Sequence, residues 1–225
     1  MATRALAARP EPTSTRDAIL DAAEREFAAR GFSGVSMRQI ATAAGLKNQA
    51  SLYHHFRDKQ ALYAAVLRRG LGPVVELVAE ASLHAAAAGA SPRSAGDAVL
   101  DRLFDYLAEH PHLPRLIQRA GLDDTRALRT TLARFLRPLY EQGLEVLAGA
   151  PGRWEPADLP HVAAGIYLLI FGYFANTALL AVVAGQDAES PASVARQRRF
   201  LKTAVTRLLG TAPAPRLAPS GRRRM

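Results

Sequence analysis

Glycine and proline stand in this chain wherever a helix-length run rich in alanine and leucine comes to an end, and no other feature constrains the fold as much. The alternation of β-branched residues that marks strands is absent. Apolar residues recur at helical intervals instead: Ile19, Ala23 and Phe27 lie four apart, and Gly31 follows where that helix should stop. The expected fold class is therefore all-α. A first helix is expected from about Ser14 to Arg30, and a second from Met37 to Ala44, opened by a capping box of Ser36 and Gln39. A third should run from about Gln49 to Phe56, with Leu52 and Phe56 on one face. Asp58 then caps a long fourth helix that Gly70, Gly72 and Pro73 should kink or interrupt. Further helices are expected near 95–109, 113–120, 124–148, 157–184 and 191–209, with linkers at 89–92 and 149–156.

Such a chain can build a core. Of its 225 residues 49% are hydrophobic, and this length needs no covalent staples. It has no cysteine, which excludes disulfides, thiolate metal sites, Fe–S clusters and cysteine nucleophiles. The net charge of +9 is unevenly spread: residues 1–60 hold 9 cations and 6 acids, residues 61–210 hold 16 and 14, and the last fifteen hold 4 and none. A basic beginning and end on a near-neutral body suit a polyanion, nucleic acid before a membrane surface, although a solvated basic surface gives the same balance. Met1 to Pro12 carries arginines but no apolar run, so no secretory signal is expected. The ends, 1–12 and 211–225, are rich in Pro, Ala and Arg and are expected to be disordered.

One stretch, Val162 to Ala184, has 23 residues and no charge, enough at ~1.5 Å per residue to cross a ~30 Å bilayer core. The alternative it raises is a membrane-anchored helical protein with a span at 162–184. Asn176 and Thr177 near its middle and the acids around it (Glu155, Asp158, Asp187, Glu189) favour a buried helix or an oligomer interface instead.

Ser33 to Lys59 carries the functional information. Two short helices meet at Gly45, with Ala41 and Ala44 on one and Leu52 on the other where they must cross, which is the layout of a helix-turn-helix. Around the Leu52/Phe56 stripe the second helix carries Gln49, Ser51, Tyr53 and His54, all able to hydrogen-bond phosphates or base edges and none negative. A helical hairpin with an ordinary solvated face would show the same amphipathic pair.

The residues also resemble a family. Met37–Arg38–Gln39–Ile40–Ala41, Ala44–Gly45, Leu52–Tyr53–His54–His55–Phe56 and Asp58–Lys59–Gln60–Ala61–Leu62 look like the N-terminal domain of TetR-type (TetR/AcrR) transcriptional regulators. The preceding helix, with Ile19–Leu20, Ala22–Ala23, Phe27 and Gly31–Phe32, fits the same domain. The resemblance covers about residues 14–65 and departs at one point: the family usually places its Tyr seven residues after the turn Gly, and Tyr53 is eight after Gly45. Counting back from Tyr53 puts Asn48 at the N-cap and Gln49 and Ala50 at the tip that would enter a groove, with Lys47, Asn48 and Gln49 as the alternatives for base contact. Gln49 can pair bidentately with adenine, and Ala50 can meet a thymine methyl. Ser36, Ser51, Tyr53, His54 and Lys59 read as phosphate or sugar ligands, Arg38 as either a phosphate contact or a solvated cation, and His55 as packed inward between helices.

The resemblance implies a helix-turn-helix DNA-binding domain at 13–60 and a larger helical ligand-binding and dimerisation domain at 61–210. It implies double-stranded DNA, a small-molecule effector and a second copy of the chain as partners, with no membrane, in the cytoplasm. The expected function is a repressor released from a palindromic operator by a small, mostly apolar ligand. Gly165 and Gly172, seven apart, could let helices approach closely at a dimer interface. The aromatics of the body (Phe104, Tyr106, Phe135, Tyr140, Trp154, Tyr167, Phe171, Phe174) could line an apolar pocket or simply fill the core. Phe104, Phe135, Tyr140, Tyr167 and Phe171 are the candidates for ligand contact. No enzyme is expected. The six histidines (54, 55, 84, 110, 112, 161) show no metal-site spacing, His110–Pro111–His112 reads as a helix break, and no GxSxG, Walker A or GxGxxG motif is present. No cofactor and no metal are called for.

Overall fold

The computed structural model of the protein describes residues 14–89, 92–122, 126–149, 154–185 and 187–208; both termini expected to be disordered lie outside them. Every regular element among the described residues is an α-helix: α1 (Thr15–Arg30), α2 (Met37–Ala43), α3 (Ala50–His55), α4 (Lys59–Ala87), α5 (Pro92–Glu109), α6 (His112–Leu122), α7 (Arg126–Gly149), α8 (Leu159–Ala175), α9 (Thr177–Ala184) and α10 (Pro191–Leu208). The fold is all-α, an N-terminal helix-turn-helix domain followed by a larger helical one.

Local chemistry sets the first boundaries. The Ser14 hydroxyl accepts the Asp17 N–H at 3.2 Å, and at the other end of α1 Gly31, at φ 75°, turns the chain while its N–H donates to the Phe27 carbonyl. The α1 side that faces inward, Ile19, Ala23 and Phe27, is fully buried. Phe27 meets Tyr63 edge-on at 4.9 Å, and Phe32 meets the same ring at 5.3 Å. Each such buried side chain stabilises by roughly 1.5–3 kcal/mol. Polar chemistry adds a second tie between α1 and α4: the Arg69 guanidinium lies 2.9 Å from Asp21 and 2.7 Å from the buried Glu24.

Two expectations are revised, since α4 is not interrupted and one long apolar helix is two. The Asp58 carboxylate accepts the Ala61 N–H at 2.7 Å as expected, but α4 then runs as one helix for 29 residues through Gly70, Gly72 and Pro73 without interruption. Pro73 points to solvent, while Leu71 and Val74 are buried on the inner side, and the Tyr106 hydroxyl donates to the Gly70 carbonyl at 2.8 Å within a turn of the proline. Packing on the inner face thus outweighs the backbone preference.

The second correction concerns the helix expected over 157–184. It is two helices, α8 and α9, bent by 78°. The break falls at Asn176, whose side-chain amide turns back to donate to the Gly172 carbonyl at 2.8 Å, closing α8. Thr177, 4% exposed, opens α9 and is held by Arg115 at 2.8 Å and by Glu189 at 2.7 Å. No single helix among the described residues is long and apolar enough to cross a membrane.

One buried cluster runs from α1 through α4 to Phe104 and Leu107 on α5, Leu116 and Ile117 on α6, Phe171 and Phe174 on α8 and Leu201 on α10. Helix α4 packs on α1 at one end and on α5 and α7 beyond, so it belongs to both halves, and α6 reaches back to α1.

Candidate nucleic-acid interface

The helix-turn-helix is built by three hydrogen-bonded devices in a row. At the start of α2 the Ser36 hydroxyl accepts the Gln39 N–H at 3.2 Å, and the Gln39 side chain accepts the Ser36 N–H at 2.8 Å. At the end of α2 Gly45, at φ 71°, donates to the Thr42 carbonyl and Leu46 donates to the Ala41 carbonyl, both at 3.0 Å. This pair of bonds is a Schellman closure, and it needs a residue that adopts positive φ without strain. At the start of α3 the Asn48 side-chain oxygen accepts the Ala50 N–H at 2.9 Å, while the Ser51 N–H reaches the Asn48 carbonyl at 3.1 Å. The N-cap expected at Asn48 is corrected: the cap position is Gln49, which makes no side-chain cap bond, because the helical bonds proper begin at Ala50, and Asn48 instead braces the turn one residue earlier. The turn runs from Leu46, half-buried against the core, to Asn48.

Leu52 and Phe56 anchor α3 from below, 0% and 5% exposed. Ser36, Arg38, Lys47, Asn48, Ala50, Tyr53 and His54 are exposed, while Gln49, Ser51 and Lys59 are half-buried. Gln49 and Tyr53 come together, with the amide nitrogen 3.4 Å from the phenol oxygen. Lys59 sits with its ammonium 4.3 Å from the centre of the Phe32 ring, a seat that holds the cation at the start of α4. The Ser36 hydroxyl also donates to Gln39 at 2.9 Å, so its first task is the cap. His55 is exposed and does not pack between helices: Leu52 and Phe56 fill the space beneath α3. Between Glu26 and Asp58 the chain has no acid at all. An α3 without negative charge, anchored by the buried Leu52 and Phe56, can offer exposed amide, hydroxyl and phenol groups to a polyanion.

The body residues singled out from the sequence are placed differently. Phe104 is fully buried against Phe174 at 5.3 Å, with the Arg198 guanidinium 5.7 Å from its ring centre. Tyr167 stacks on Phe171 at 4.9 Å, Phe135 is half-buried and Tyr140 is exposed. Burial raises the Tyr167 phenol above its usual range; burial, then the Asp187 carboxylate, raises that of Tyr173, whose hydroxyl donates to the Ala188 carbonyl at 2.7 Å. Two surface clefts of about 660 and 600 Å³ share Trp154 and Leu208; Gly165, Leu168 and Leu169 line the first and Phe200 and Arg207 the second. None of the five ligand candidates lines either cleft. The knot of Arg115, Thr177 and Glu189 escaped the sequence reading, since its members lie 62 and 74 positions from Arg115 and no local pattern joins them. Among the described residues no group of three or more His, Asp or Glu side chains is placed to hold a metal.

Residues 19–66 match the family model described as bacterial regulatory proteins, tetR family. The HTH-type transcriptional repressor AcnR of Corynebacterium glutamicum is 37% identical over 78 residues, which are 35% of this chain and 41% of that protein. The chain thus spans well under half the length of this relative. The HTH-type transcriptional regulator RutR of Escherichia coli is 29% identical over 167 residues, 73% of each chain. Among solved structures, the fatty acid degradation regulator FadR from Bacillus halodurans superposes with a TM-score of 0.63 at 17% identity, over 83% of this chain and 97% of that one, a likeness of fold.

Proposed function

We propose that this chain, which belongs to the tetR family of bacterial regulatory proteins, is a sequence-specific DNA-binding transcriptional regulator. The observation that carries the reading is the capped, acid-free unit α2–turn–α3, whose buried base (Leu52, Phe56) leaves Lys47, Asn48, Gln49, Ala50, Ser51, Tyr53 and His54 at the outer side. Gln49 reads a base, Ala50 approaches a thymine methyl, and Ser36, Arg38, Ser51, Tyr53, His54 and Lys59 position the head on phosphates and sugars. The division is a reading head at 13–60 and a body at 61–210, with α4 shared between them. No catalytic role is proposed, and a regulator of bacterial chromosomal DNA works in the cytoplasm.

The regulator acts as a homodimer on a two-fold symmetric site, and a small, mostly apolar effector releases it. Support for the dimer comes from α8 and α10, where Leu168 and Phe200 are exposed beside Trp154, and where added Cβ atoms at Gly165 and Gly172 would meet nothing within 4 Å. An apolar surface of this kind suits a matching copy. Support for the effector site is the aromatic content near Phe104, Phe135, Tyr167 and Phe171, with Tyr140 at the surface; these side chains are closely packed, so an effector would enter by displacing them.

The test is selection of duplexes from a random pool, followed by affinity measurements across a salt series. A preferred sequence with two-fold symmetry and a steep fall of affinity with salt is expected. A protein with no preference for any duplex at low salt would refute the reading. Light scattering should give a dimer; a monodisperse monomer would sink the two-fold arrangement.

A further inference from the structure

We propose that Arg16 is a further phosphate contact of the reading head, one that the helix-turn-helix pattern does not reveal because it lies on α1. The inference rests on the DNA-binding reading and extends its footprint beyond α2, α3 and the start of α4. Arg16 is exposed, and its guanidinium lies 5.2 Å from the centre of the Phe56 ring. Phe56 is 5% exposed and closes α3, its N–H donating to the Leu52 carbonyl at 3.0 Å. The ring thus fixes Arg16 against the far end of the helix whose near end carries Gln49 and Ala50.

Three further facts fit a waiting anion. Among the described residues no carboxylate pairs with Arg16, whereas Arg30 faces Glu26, Arg57 faces Asp58 and Arg69 faces Asp21 and Glu24. Its charge opposes the dipole of its own helix, since it stands in the first turn of α1. The arrangement also repeats that of Lys59, whose ammonium rests 4.3 Å from the centre of the Phe32 ring at the start of α4. A guanidinium resting over a ring keeps donors free for a phosphate, and the contact removes part of the side-chain freedom that binding would otherwise have to freeze.

The experiment uses the full-length protein with two duplexes, its selected sequence and an unrelated one, each titrated over a range of salt. The variants are Arg16→Gln and Arg16→Met; the second keeps an apolar cover on Phe56 and removes only the charge. Both should weaken binding to the two duplexes by the same factor, on the order of tenfold, and shrink the log–log salt slope by about 2 for a dimer with one lost contact per half-site. Melting of the Arg16→Met protein should match the unmodified chain. Unchanged affinity and slope for Arg16→Met would overturn the proposal, leaving the guanidinium a cover for Phe56. A change in which sequence is preferred would overturn it too, because the side chain would then read bases. If the unmodified protein binds neither duplex at low salt, the DNA reading itself fails, an outcome separate from both.

Discussion

Helices α1 to α3 are closed at nearly every end by a residue placed for that purpose: Ser14 and Gly31 on α1, Ser36 and Gly45 around α2, Asn48 before α3. In the body, α10 is opened in the same way by Ser190, whose hydroxyl accepts the Ser193 N–H at 3.3 Å. But α8 and α9, like α3, have no side-chain bond from the N-cap residue, and apolar residues carry α8 and α9 instead. The exposed side chains differ in the same sense. The only large hydrophobic side chain exposed among the described residues of α1 to α3 is the half-polar Tyr53, whereas the body exposes Leu168, Leu179, Val182, Val183 and Phe200. The head shares its core with α4 and α6 and shows polar groups outward. The body leaves these apolar side chains in contact with solvent, and they are the surface on which the proposed pairing with a second copy would rest.

This contrast can be broken at its strongest point. Arg69 ties the head to α4 through Asp21 and the buried Glu24, so Arg69→Met should cost about 2–3 kcal/mol in chemical denaturation, as loss of a charge-assisted hydrogen bond in a partly buried site does. A loss below about 1 kcal/mol would mean that burial alone joins the two halves. Next in size, Gln49→Ala should relax preference at one position of each half-site by ~1–3 kcal/mol, read from competition between duplexes. If the preferred sequence is unchanged, the base contact belongs to Lys47 or Asn48. Smaller again, Ser36→Ala should remove the capping box and cost roughly 1 kcal/mol of stability, with no matching loss when a surface serine away from a helix end is replaced.

The least effect concerns pH and the body alone. Tyr167 and Tyr173 have phenols raised above their usual range in the folded state. The unfolded chain then ionises first, at about pH 10, so their contribution is intact below that pH and is lost as pH rises through it. Stability measured by denaturation should fall more gently above about pH 10 in Tyr167→Phe than in the unmodified protein. An identical alkaline slope would show that Tyr167 is solvated.

The head was legible from sequence because its rules are local. A capping box needs residues three apart, a Schellman closure needs a glycine just past the helix, and Ser36–Gln39 and Gly45 satisfy both. The body obeys distant partners. Gly70, Gly72 and Pro73 predict a kink or an interruption, and the helix is not interrupted: Leu71 and Val74 pack on its inner side and the Tyr106 hydroxyl bonds to it there. Asn176 and Thr177 were noticed as polar residues in an apolar run, yet the bend they make depends on Arg115 and Glu189, which only the folded chain brings near. His55 shows the same limit at short range: its neighbour Phe56 and Leu52 occupy the space beneath α3 and leave the imidazole outside.

The turn between α2 and α3 has a consequence for how such a protein can diversify. Its two ends are pinned independently, Leu46 by the bond to Ala41 and Asn48 by its bond to Ala50, and only Lys47 lies between them. A residue gained or lost in that gap shifts the tip of α3 without touching a buried side chain or a cap, and lengthening a loop costs little free energy. If the tip of α3 makes the base contacts proposed above, a change in the length of this one short stretch of backbone would alter what is recognised without disturbing the bonds that close α2.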